Sequence, residues 1–454
     1  MKGQVAARLA ELIVGTSYGN LPEEVIHKAK LCILDFMGVA LAGSRVGLAP
    51  LITDLVCGMG GEKEATLIGD HRKTPVLQAA LLNGVKGHTL DMDDGHRYAN
   101  AHPGAAIIPA AMALAERNNA TYRELIESVV AGYETFLRIA RAINPSHLQR
   151  GFHTTGTVGP FGAASACSKL LRLDVQKVRN ALAIAGLQGA GLLEVLASGQ
   201  MMKPLQPGRA AQAGVLAAFM AQMGAEGPEE IFEGEKGFFR AFSDGVDVSE
   251  LLKGLGTTFE ILGVYFKMHA ACRHVHPALD GLREIMDAHD IAIEEIQSIE
   301  VSTYSVAHQL VGQKKEAASE LSAKFSLPVS VALMLLYGKA GTDEFSLERI
   351  KNPAIQGLAD RVLVTVDKTR DKYYPAQRGA EVRVTTKRGS YKSEVLIPRG
   401  DPENPFTYAE LKEKFMNNAT KAAPRDVAIK IEGLVMGDPS NPVREIMRLA
   451  GSIH

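Results

Sequence analysis

The chain has 454 residues, enough for two or more domains that each bury a core. Its 50 Lys and Arg residues balance 51 Asp and Glu residues, so the net charge of −1 gives no electrostatic reason to bind nucleic acid or an anionic membrane surface. Hydrophobic residues make up 46% and charged residues 22% of the chain, which is typical of a soluble enzyme.

The cysteines and the N-terminus indicate the compartment. The four cysteines are far apart and form no CxxC pair, namely Cys32, Cys57, Cys167 and Cys272. This spacing argues against structural zinc and iron–sulfur clusters, so we expect reduced, mostly buried thiols. The opening MKGQVAARLAELIVGT lacks the apolar core of a signal peptide, and no later apolar run reaches the roughly 18 residues of a membrane span. We therefore expect a cytoplasmic protein.

The first 250 or so residues predict helix after helix. In LPEEVIHKAKLCILDFMGVALAG, Pro22 precedes two acidic residues of a first helical turn and Gly43 marks the stop. Alanine and glycine are dense here, which lets helix axes come close. One short strand is predicted at Glu64 to Ile68. Further helices are predicted near 46–58, 75–90, 104–117, 122–143, 174–188 and 208–224.

The pattern changes after about residue 257, where alternating, β-branched segments predict strands. These segments are TFEILG, QSIEVSTYS, RVLVTVDK, AEVRVTTK and YKSEVLI, with a hairpin expected at 387–390. Helices near 272–287, 317–338 and 344–358 lie among them, so this region predicts an α+β domain. Helices return near 407–418 and 424–435, and we expect them to rejoin the first domain.

The stretch that begins at His88 could carry acid–base chemistry. Within fifteen residues it holds three histidines and three aspartates, namely His88, Asp91, Asp93, Asp94, His96 and His102. If the preceding helix continues, His88, Asp91 and Asp94 share one face. The stretch then predicts a site in which a carboxylate orients a histidine. A divalent-metal site and a solvated helix end with an N-cap aspartate remain alternatives.

A second candidate is GFHTTGT, residues 151–157, which precedes a helix. His153 and Thr154 beside a helix N-terminus fit an anion site, because free backbone N–H groups and the helix dipole point there. A capping turn around a core histidine is the alternative.

A third candidate runs from Ser198 to Arg209 and opens another helix. Lys203 and Arg209 near a helix start suit a carboxylate ligand, because both side chains and the dipole add positive potential. The alternative is a surface loop with two solvated cations.

The fourth candidate, Lys267 to Pro277, holds three histidines, a lysine, an arginine and a cysteine where the helical region gives way to the mixed region. Small-molecule sites tend to form in clefts between domains. Metal ligation by His274 and His276, or attack by Cys272, has no supporting motif. The chain also lacks a dinucleotide fingerprint, a P-loop and a GxSxG elbow, so we expect no cofactor.

In order along the chain, these stretches resemble the MmgE/PrpD family, which includes 2-methylcitrate dehydratase, cis-aconitate decarboxylase and iminodisuccinate epimerase. The resemblance covers nearly the whole chain. It is carried by AHPGAAIIPAAMALAER, GFHTTGTVGPFGAASA, KPLQPGRAAQAG, the CxxxHP of Cys272 to Pro277, AKFSLPVSVALMLLYG and PRGDPENPFTYAELKEKF.

The resemblance implies a mainly α fold, in which a large all-helical domain built from both chain ends (1–265 and 401–454) carries a smaller α+β lid domain (266–400). It also implies a homodimer and neither metal nor organic cofactor. The residues that match the family's proposed site are Asp91, His102, His153, Lys203 and His276. We add Thr154, Gln206, Arg209, His269 and Arg273 as candidate substrate-binding residues.

The chain departs from the family pattern inside the expected pocket. Gly95 stands where relatives often have Thr, and Gln206 stands where many have His. Met268 and His269 replace a usual Tyr-Pro, and the spacing from Asp91 to His102 is one residue longer than in cis-aconitate decarboxylases. These departures concern the choice of substrate more than the class of reaction.

The sequence thus predicts a lyase or isomerase that moves a proton on carbon in a small polycarboxylic acid. We expect His102 and His153 to transfer protons, Asp91 to orient a histidine, and Lys203 with His276 to bind carboxylate. A 2-methylcitrate dehydratase-like reaction is the leading interpretation. Epimerisation or decarboxylation of a related di- or tricarboxylate is the alternative, and a non-catalytic carboxylate-binding protein is a third.

Overall fold

The computed structural model describes residues 3–196, 201–313 and 317–452. Helices dominate it, which confirms the mainly α fold class, and their bounds follow local signals. The helix predicted from Pro22 to Gly43 runs from Glu23 to Gly43. The helix Tyr122–Ile143 begins at a capping box, because the Thr121 hydroxyl and the Glu124 carboxylate each accept from the other's backbone N–H.

The first part of the chain is almost entirely helical. Its helices are α1 (Gln4–Gly15), α2 (Glu23–Gly43), α3 (Leu48–Gly58), α4 (Val76–His88), α5 (Gly104–Arg117), α6 (Tyr122–Ile143), α7 (Ser146–Gln149), α8 (Thr154–Leu170), α9 (Val175–Gly186), α10 (Leu205–Gln222), α11 (Phe238–Phe242) and α12 (Val248–Leu252). Two short antiparallel pairs interrupt them, β1 (Ala65–Thr66) with β2 (Lys73–Thr74) and β3 (Gly95–His96) with β4 (Val264–Tyr265).

The later part is mixed and then helical again. Its helices are α13 (His276–Ala288), α14 (Ser305–Ala307), α15 (Glu320–Lys324), α16 (Leu327–Tyr337), α17 (Leu347–Ile350), α18 (Pro353–Ala359), α19 (Tyr408–Ala419), α20 (Arg425–Met436) and α21 (Val443–Gly451). Four strands form one sheet in the order β6-β5-β7-β8, with β5 (Ile296–Thr303), β6 (Val362–Val366), β7 (Ala380–Thr386) and β8 (Gly389–Val395). The predicted hairpin is present, since Thr386 pairs with Gly389.

Four predicted elements differ from the structure, and one of them, the helix expected near 344–358, is divided into α17 and α18. TFEILG is not a strand but ends in a 3-10 turn, Glu260–Gly263. The strand expected at Glu64 to Ile68 shortens to Ala65–Thr66. The helix expected over 317–338 is two helices, α15 and α16, because Ser326 caps the second one through its side chain.

The two largest hydrophobic cores both take in residues of the loop that follows α4. The larger core draws on residues from Val5 to Ala450, and α19, α20 and α21 pack against α2 and α5. The second core is built mainly from residues between 270 and 384, and it also takes in Leu90 and Met92. The division of the chain into 1–265, 266–400 and 401–454 remains a prediction.

Small residues bring the site-bearing helices together. A methyl group on Gly84 of α4 would lie 2.8 Å from Cα of Gly208 in α10, and one on Gly159 of α8 would lie 2.6 Å from Cβ of Ala210. Helices α4, α8 and α10 therefore pack with little side-chain volume between them, as the density of Gly and Ala predicts. Their closeness brings the end of α4 near the starts of α8 and α10.

No single helix among the described residues is long and apolar enough to cross a membrane. Helices α2 and α3 meet the length and composition of a span only when taken together, across a bend of 87°.

Candidate active site

The loop after α4 carries the first set of site residues. Helix α4 ends at His88, and Asp91 has a φ of 53° in the left-handed region. The expectation that His88, Asp91 and Asp94 share one helix face is therefore wrong. The chain turns because Leu90 and Met92, on either side of Asp91, are buried in the second core. This turn presents the buried Asp91 to residues from distant parts of the chain.

Asp91 is the carboxylate of a buried cationic cluster. Lys203 Nζ donates a hydrogen bond to Asp91 Oδ1, while Lys267 Nζ lies 2.9 Å from the Asp91 carbonyl and 3.3 Å from Oδ2. Burial alone raises the pKa of Asp91, but Lys203 and Lys267 together lower it well below the ordinary value. One buried carboxylate thus faces two buried ammonium groups.

His102 is held in one tautomer by the backbone. Its Nδ1 lies 2.7 Å from the carbonyl oxygen of Asp94, which can only accept, so Nδ1 carries the proton. Nε2 is left with a lone pair. The His102 backbone N–H donates to Thr155 Oγ1 at 3.0 Å, which ties the loop to the start of α8. Burial and, to a lesser degree, Lys267 lower the pKa of His102 well below its ordinary value.

His153 is fixed in the same way by Gln206. The amide Nε2 of Gln206 donates to the Leu192 carbonyl at 2.9 Å, so its Oε1 faces His153 Nδ1 at 2.7 Å and accepts from it. His153 Nε2 therefore also carries a lone pair. Burial, with Lys203 adding, lowers the pKa of His153 to about 3. Gln206, which the sequence suggested as a substrate ligand, instead positions a histidine.

A third histidine belongs to the same group. His88 Nδ1 lies 2.8 Å from Asp93 Oδ2, and its ring centroid lies 4.9 Å from that of His102 and 6.0 Å from that of His153. Its Nε2 is buried and has no hydrogen-bond partner among the described residues. The sequence predicted that Asp91 orients a histidine. The structure gives that place to Asp93, which also lies 3.5 Å from His102 Nδ1, because Asp91 is engaged by the lysines.

His88, Asp93 and His102 are the described residues whose ligand atoms come close enough to hold a metal ion, within 4.8 Å of one another. Two ligands on one tetrahedral zinc ion at about 2.0–2.1 Å would lie about 3.3 Å apart. The 2.8 Å between His88 Nδ1 and Asp93 Oδ2 is shorter than that and fits a direct hydrogen bond. The donor types suit a divalent ion, but this spacing favours proton sharing.

A small cavity of about 70 Å³ opens onto this cluster. His88, Asp91 and Lys203 line it from the helical side, and Glu320 and Lys324 line it from α15. Burial, opposed by Asp91, lowers the pKa of Lys324 to about 8. The cavity therefore lies between the end of α4, the segment before α10 and helix α15, with cationic groups on both sides.

His276, His269 and Arg273 form a separate polar group. His276 Nδ1 accepts from Arg273 Nη1 at 3.2 Å, and Arg273 lies 3.2 Å from Asp401. His269 has its ring centroid 5.1 Å from that of His276 and its Nε2 3.9 Å from Asp280 Oδ1. These residues are buried but bond to one another and not to the Asp91 cluster, so the structure does not place His276 with Lys203.

Two further candidates lie apart from the cluster. Arg209 is exposed on α10 and donates to Gln212, one turn further on, so it leaves our candidate site. Thr154 is buried, but its hydroxyl accepts from Asn144 at 3.3 Å. Part of the third sequence stretch, residues 198–200, lies outside the described residues.

Sequence reasoning passed over Lys267, His88, Asp93 and Lys324 as site residues. The first three stood inside stretches already singled out, and Lys324 stands in AKFSLPV. A basic residue at a predicted domain junction was the available signal for Lys267. Nothing local distinguished Asp93 from Asp91, since only the fold decides which carboxylate meets lysines.

Gly95 has a structural counterpart in Tyr265. A Cβ on Gly95 would lie 2.4 Å from the Tyr265 hydroxyl oxygen and 2.5 Å from Cζ. The two residues pair across the short β3–β4 ladder. The space that a side chain at position 95 would occupy is thus filled by the Tyr265 phenol.

The chain matches two family models in succession. The MmgE/PrpD N-terminal domain matches residues 7–251, and the MmgE/PrpD C-terminal domain matches residues 269–436. Together these two matches cover most of the chain, so the chain belongs to the MmgE/PrpD family.

Three curated relatives span almost the same length as this chain. The cis-aconitate decarboxylase-like protein oryM of Aspergillus oryzae is 26% identical, with 99% of this chain and 97% of the relative aligned. The cis-aconitate decarboxylase of Aspergillus terreus is 24% identical, with 96% and 93% aligned. The human cis-aconitate decarboxylase is 27% identical, with 96% and 91% aligned.

Proposed function

We propose that this protein is a cofactor-independent lyase that acts on a small polycarboxylic acid, and that it decarboxylates a cis-aconitate-like substrate. One observation carries the proposal: a single buried carboxylate, Asp91, faces Lys203 and Lys267 beside three histidines. A cavity with surplus positive charge attracts an anion with several carboxylates. The relatives favour decarboxylation over the dehydration that the sequence analysis put first.

The lysines supply the electrostatic part of the reaction. When the C–C bond to a leaving carboxylate breaks, CO₂ departs. The electron pair of that bond shifts through the adjacent C=C bond to a carbon next to a second carboxylate. Negative charge then grows on that second carboxylate. Ammonium groups already fixed by Asp91 stabilise this charge without reorganisation, which is the usual source of the largest rate gain.

The histidines supply the proton that completes the new C–H bond. In the free site, the pKa of His102 and that of His153 are lowered by burial and by lysines, so both rings are neutral at pH 7. A bound polyanion offsets the lysines and raises both pKa values. An imidazole Nε2 then takes a proton from solvent and gives it to carbon.

Dehydration of a citrate-like acid is the second candidate, and the neutral state of the histidines favours it. A neutral imidazole is ready to take a proton from carbon next to a carboxylate, while a second group protonates the departing hydroxyl. His153 is neutral before any substrate binds, because burial lowers its pKa to about 3, and the rise in pKa that a bound polyanion causes would make it a stronger base.

Proton NMR in D₂O separates the two reactions. Decarboxylation of cis-aconitate would release CO₂ and place one deuterium on carbon. Dehydration of a citrate-like acid would release water and form a C=C bond, and isotope exchange without net change would indicate epimerisation. Binding of these acids with neither turnover nor exchange would contradict a lyase and support a carboxylate-binding protein.

Chelation tests the cofactor-independent part. We expect activity to survive dialysis against EDTA, with no stoichiometric metal by elemental analysis. Activity that vanishes on chelation and returns with one divalent metal would instead assign an ion to His88, Asp93 and His102.

We further propose a homodimer as the working assembly. Helix α3 exposes Leu51 and Leu55, and Met59 follows at its C-terminal end; each is more than 60% accessible. Apolar residues at such spacing on an exposed helix suit burial against a partner. Light scattering would give twice the chain mass, and Leu51→Glu with Leu55→Glu would reduce it to one chain. A monomeric wild type would exclude this assembly.

A further inference from the structure

Within the described part of the chain, Lys324 differs from the other buried lysines in having no hydrogen-bond or ion-pair partner for its ammonium group. Lys203 and Lys267 bond to Asp91, Lys414 bonds to Asp35, and Lys86 donates to the Ile68 carbonyl at 2.7 Å. Among the described residues, no acceptor hydrogen-bonds to Lys324 Nζ and no carboxylate oxygen lies within 4.0 Å of it. Lys324 is nevertheless only 6% exposed.

An unpaired ammonium in this position is costly, so it needs a reason. Removing a charge from water without pairing it costs several kcal/mol. Glu320 lies one turn earlier on α15 but forms no ion pair with Lys324. An anion in the cavity that Lys324 lines with His88, Asp91 and Lys203 would offset this free-energy cost.

We propose that Lys324 binds one carboxylate of the substrate, a different one from the carboxylate held at Lys203 and Lys267, and so selects tricarboxylates over dicarboxylates. This inference rests on the proposed function for the nature of the substrate. Lys324 approaches from α15 in the second core, whereas Lys203 approaches from the start of α10. A dicarboxylate that lacks the carboxylate at Lys324 keeps only its contacts at Lys203 and Lys267, whereas a tricarboxylate reaches both sides of the cavity.

Unreactive acids separate binding from chemistry. Tricarballylate carries three carboxylates on a saturated chain. Glutarate lacks its central carboxylate and succinate lacks one terminal carboxymethyl group. Calorimetry with these three acids on wild type, Lys324→Met and Lys324→Arg measures the contribution of each carboxylate at Lys324.

In Lys324→Met we expect tricarballylate to bind roughly 10- to 100-fold more weakly, the range of one charge-assisted hydrogen bond. At least one of the two dicarboxylates should change by less than about 3-fold, because it makes no contact at Lys324. Lys324→Arg keeps the charge and should recover most of the affinity. The exposed Lys351→Gln, elsewhere in the same region, is the matched control and should leave all three affinities unchanged.

Equal weakening of all three acids would overturn the proposal, because it would mean that Lys324 only adds general positive potential. Unchanged affinities would overturn it as well. The melting temperature of Lys324→Met should equal or exceed that of wild type, since an unpaired buried charge is lost, and a lower value would indicate a structural role. Wild-type binding of tricarballylate without turnover of any acid would refute the lyase and still test Lys324.

Discussion

Two buried contacts in this protein each join an aspartate to a lysine that is distant in sequence, but they differ in the balance of charge. Asp35 of α2 accepts from Lys414 of α19, and that lysine also donates to the Met92 carbonyl at 2.8 Å. One carboxylate there meets one ammonium. Asp91 instead meets Lys203 and Lys267, with Lys324 across a cavity. The first contact joins two helices, and we propose that the second holds charge for a ligand.

The directions of the two pKa shifts express the same difference. Burial raises the pKa of Asp35, and Lys414 alone does not overcome it. Burial acts on Asp91 too, yet two lysines lower its pKa well below the ordinary value. A buried acid that stays strongly ionised marks surplus positive charge nearby. This surplus, more than the presence of an ion pair, distinguishes a site from a packing contact.

The largest expected effect concerns the histidines beside the surplus charge. His102→Ala or His153→Ala should lower kcat by roughly 10²- to 10⁴-fold, because each removes an imidazole Nε2 placed for proton transfer. The NMR assay under Proposed function measures this. His71→Ala, an exposed histidine, is the control. A loss under 10-fold for both variants would remove these residues from the mechanism.

Breaking the balanced pair should cost stability and not chemistry. Asp35→Asn leaves Lys414 buried without its counter-charge, and we expect a loss of about 3–5 kcal/mol in the free energy of unfolding. Denaturant titration measures it. Activity per folded molecule should change only a few-fold, and tricarballylate should stabilise this variant no more than it stabilises wild type. If an added ligand restored the stability of Asp35→Asn, the contact at Asp35 would not differ from the cluster at Asp91.

Neutralising Asp91, which faces two lysines, should have a different effect. Asp91→Asn leaves Lys203 and Lys267 unpaired, so the empty protein should be destabilised, again by roughly 3–5 kcal/mol. An anion can replace the missing charge here. We expect tricarballylate to stabilise Asp91→Asn by about 1 kcal/mol more than wild type, measured from melting curves at fixed ligand concentration. An equal ligand effect in both proteins would contradict the idea of surplus charge.

Substitution of Gly95 tests whether packing against Tyr265 requires the glycine that departs from the family pattern. Gly95→Ala places a methyl group 2.4 Å from the Tyr265 hydroxyl oxygen, and we expect a loss of about 1–3 kcal/mol in stability. Gly433→Ala on α20 is the control, because a Cβ there meets nothing within 4 Å and should stabilise the helix by about 0.5–1 kcal/mol. Pairing Gly95→Ala with Tyr265→Ala should recover part of the loss.

The smallest expected effect is a change in bound protons. The pKa of Lys324 is lowered from 10.5 to about 8, so between these values the folded state holds fewer protons than the unfolded state and this group makes stability rise with pH. A polyanion raises the pKa, so binding near pH 8.5 should take up a fraction of a proton. Asp91, Glu320, Lys203 and Lys267 are the charges that act on Lys324.

Calorimetry of tricarballylate binding in two buffers of different ionisation enthalpy measures this uptake. Lys324→Met should remove the part of the uptake that belongs to this lysine. Lys86 also has a pKa lowered to about 8, but it donates to the Ile68 carbonyl away from the cavity. Its protonation should therefore be the same in the free and bound states and contribute nothing to the uptake. Uptake that persists in Lys324→Met would assign the proton to another group.

The sequence determined the helices and most strands, because periodicity, capping residues and turn residues act within a few positions. Thr121 with Glu124 fixed the start of α6, and β-branched alternation fixed β5 to β8. It also determined the family, through motifs spread over nearly the whole chain, and the stretches that hold the site. His102, His153 and Lys203 were found this way.

Only the tertiary structure decided which groups meet. It assigned Asp91 to the lysines and Asp93 to the histidines, because Leu90 and Met92 are pulled into the second core and turn the backbone between them. It brought in Lys267 and Lys324 from far along the chain, gave Gln206 to His153, and left Arg209 in solvent. Charge balance in a buried volume depends on distances between remote residues, and no local pattern encodes those distances.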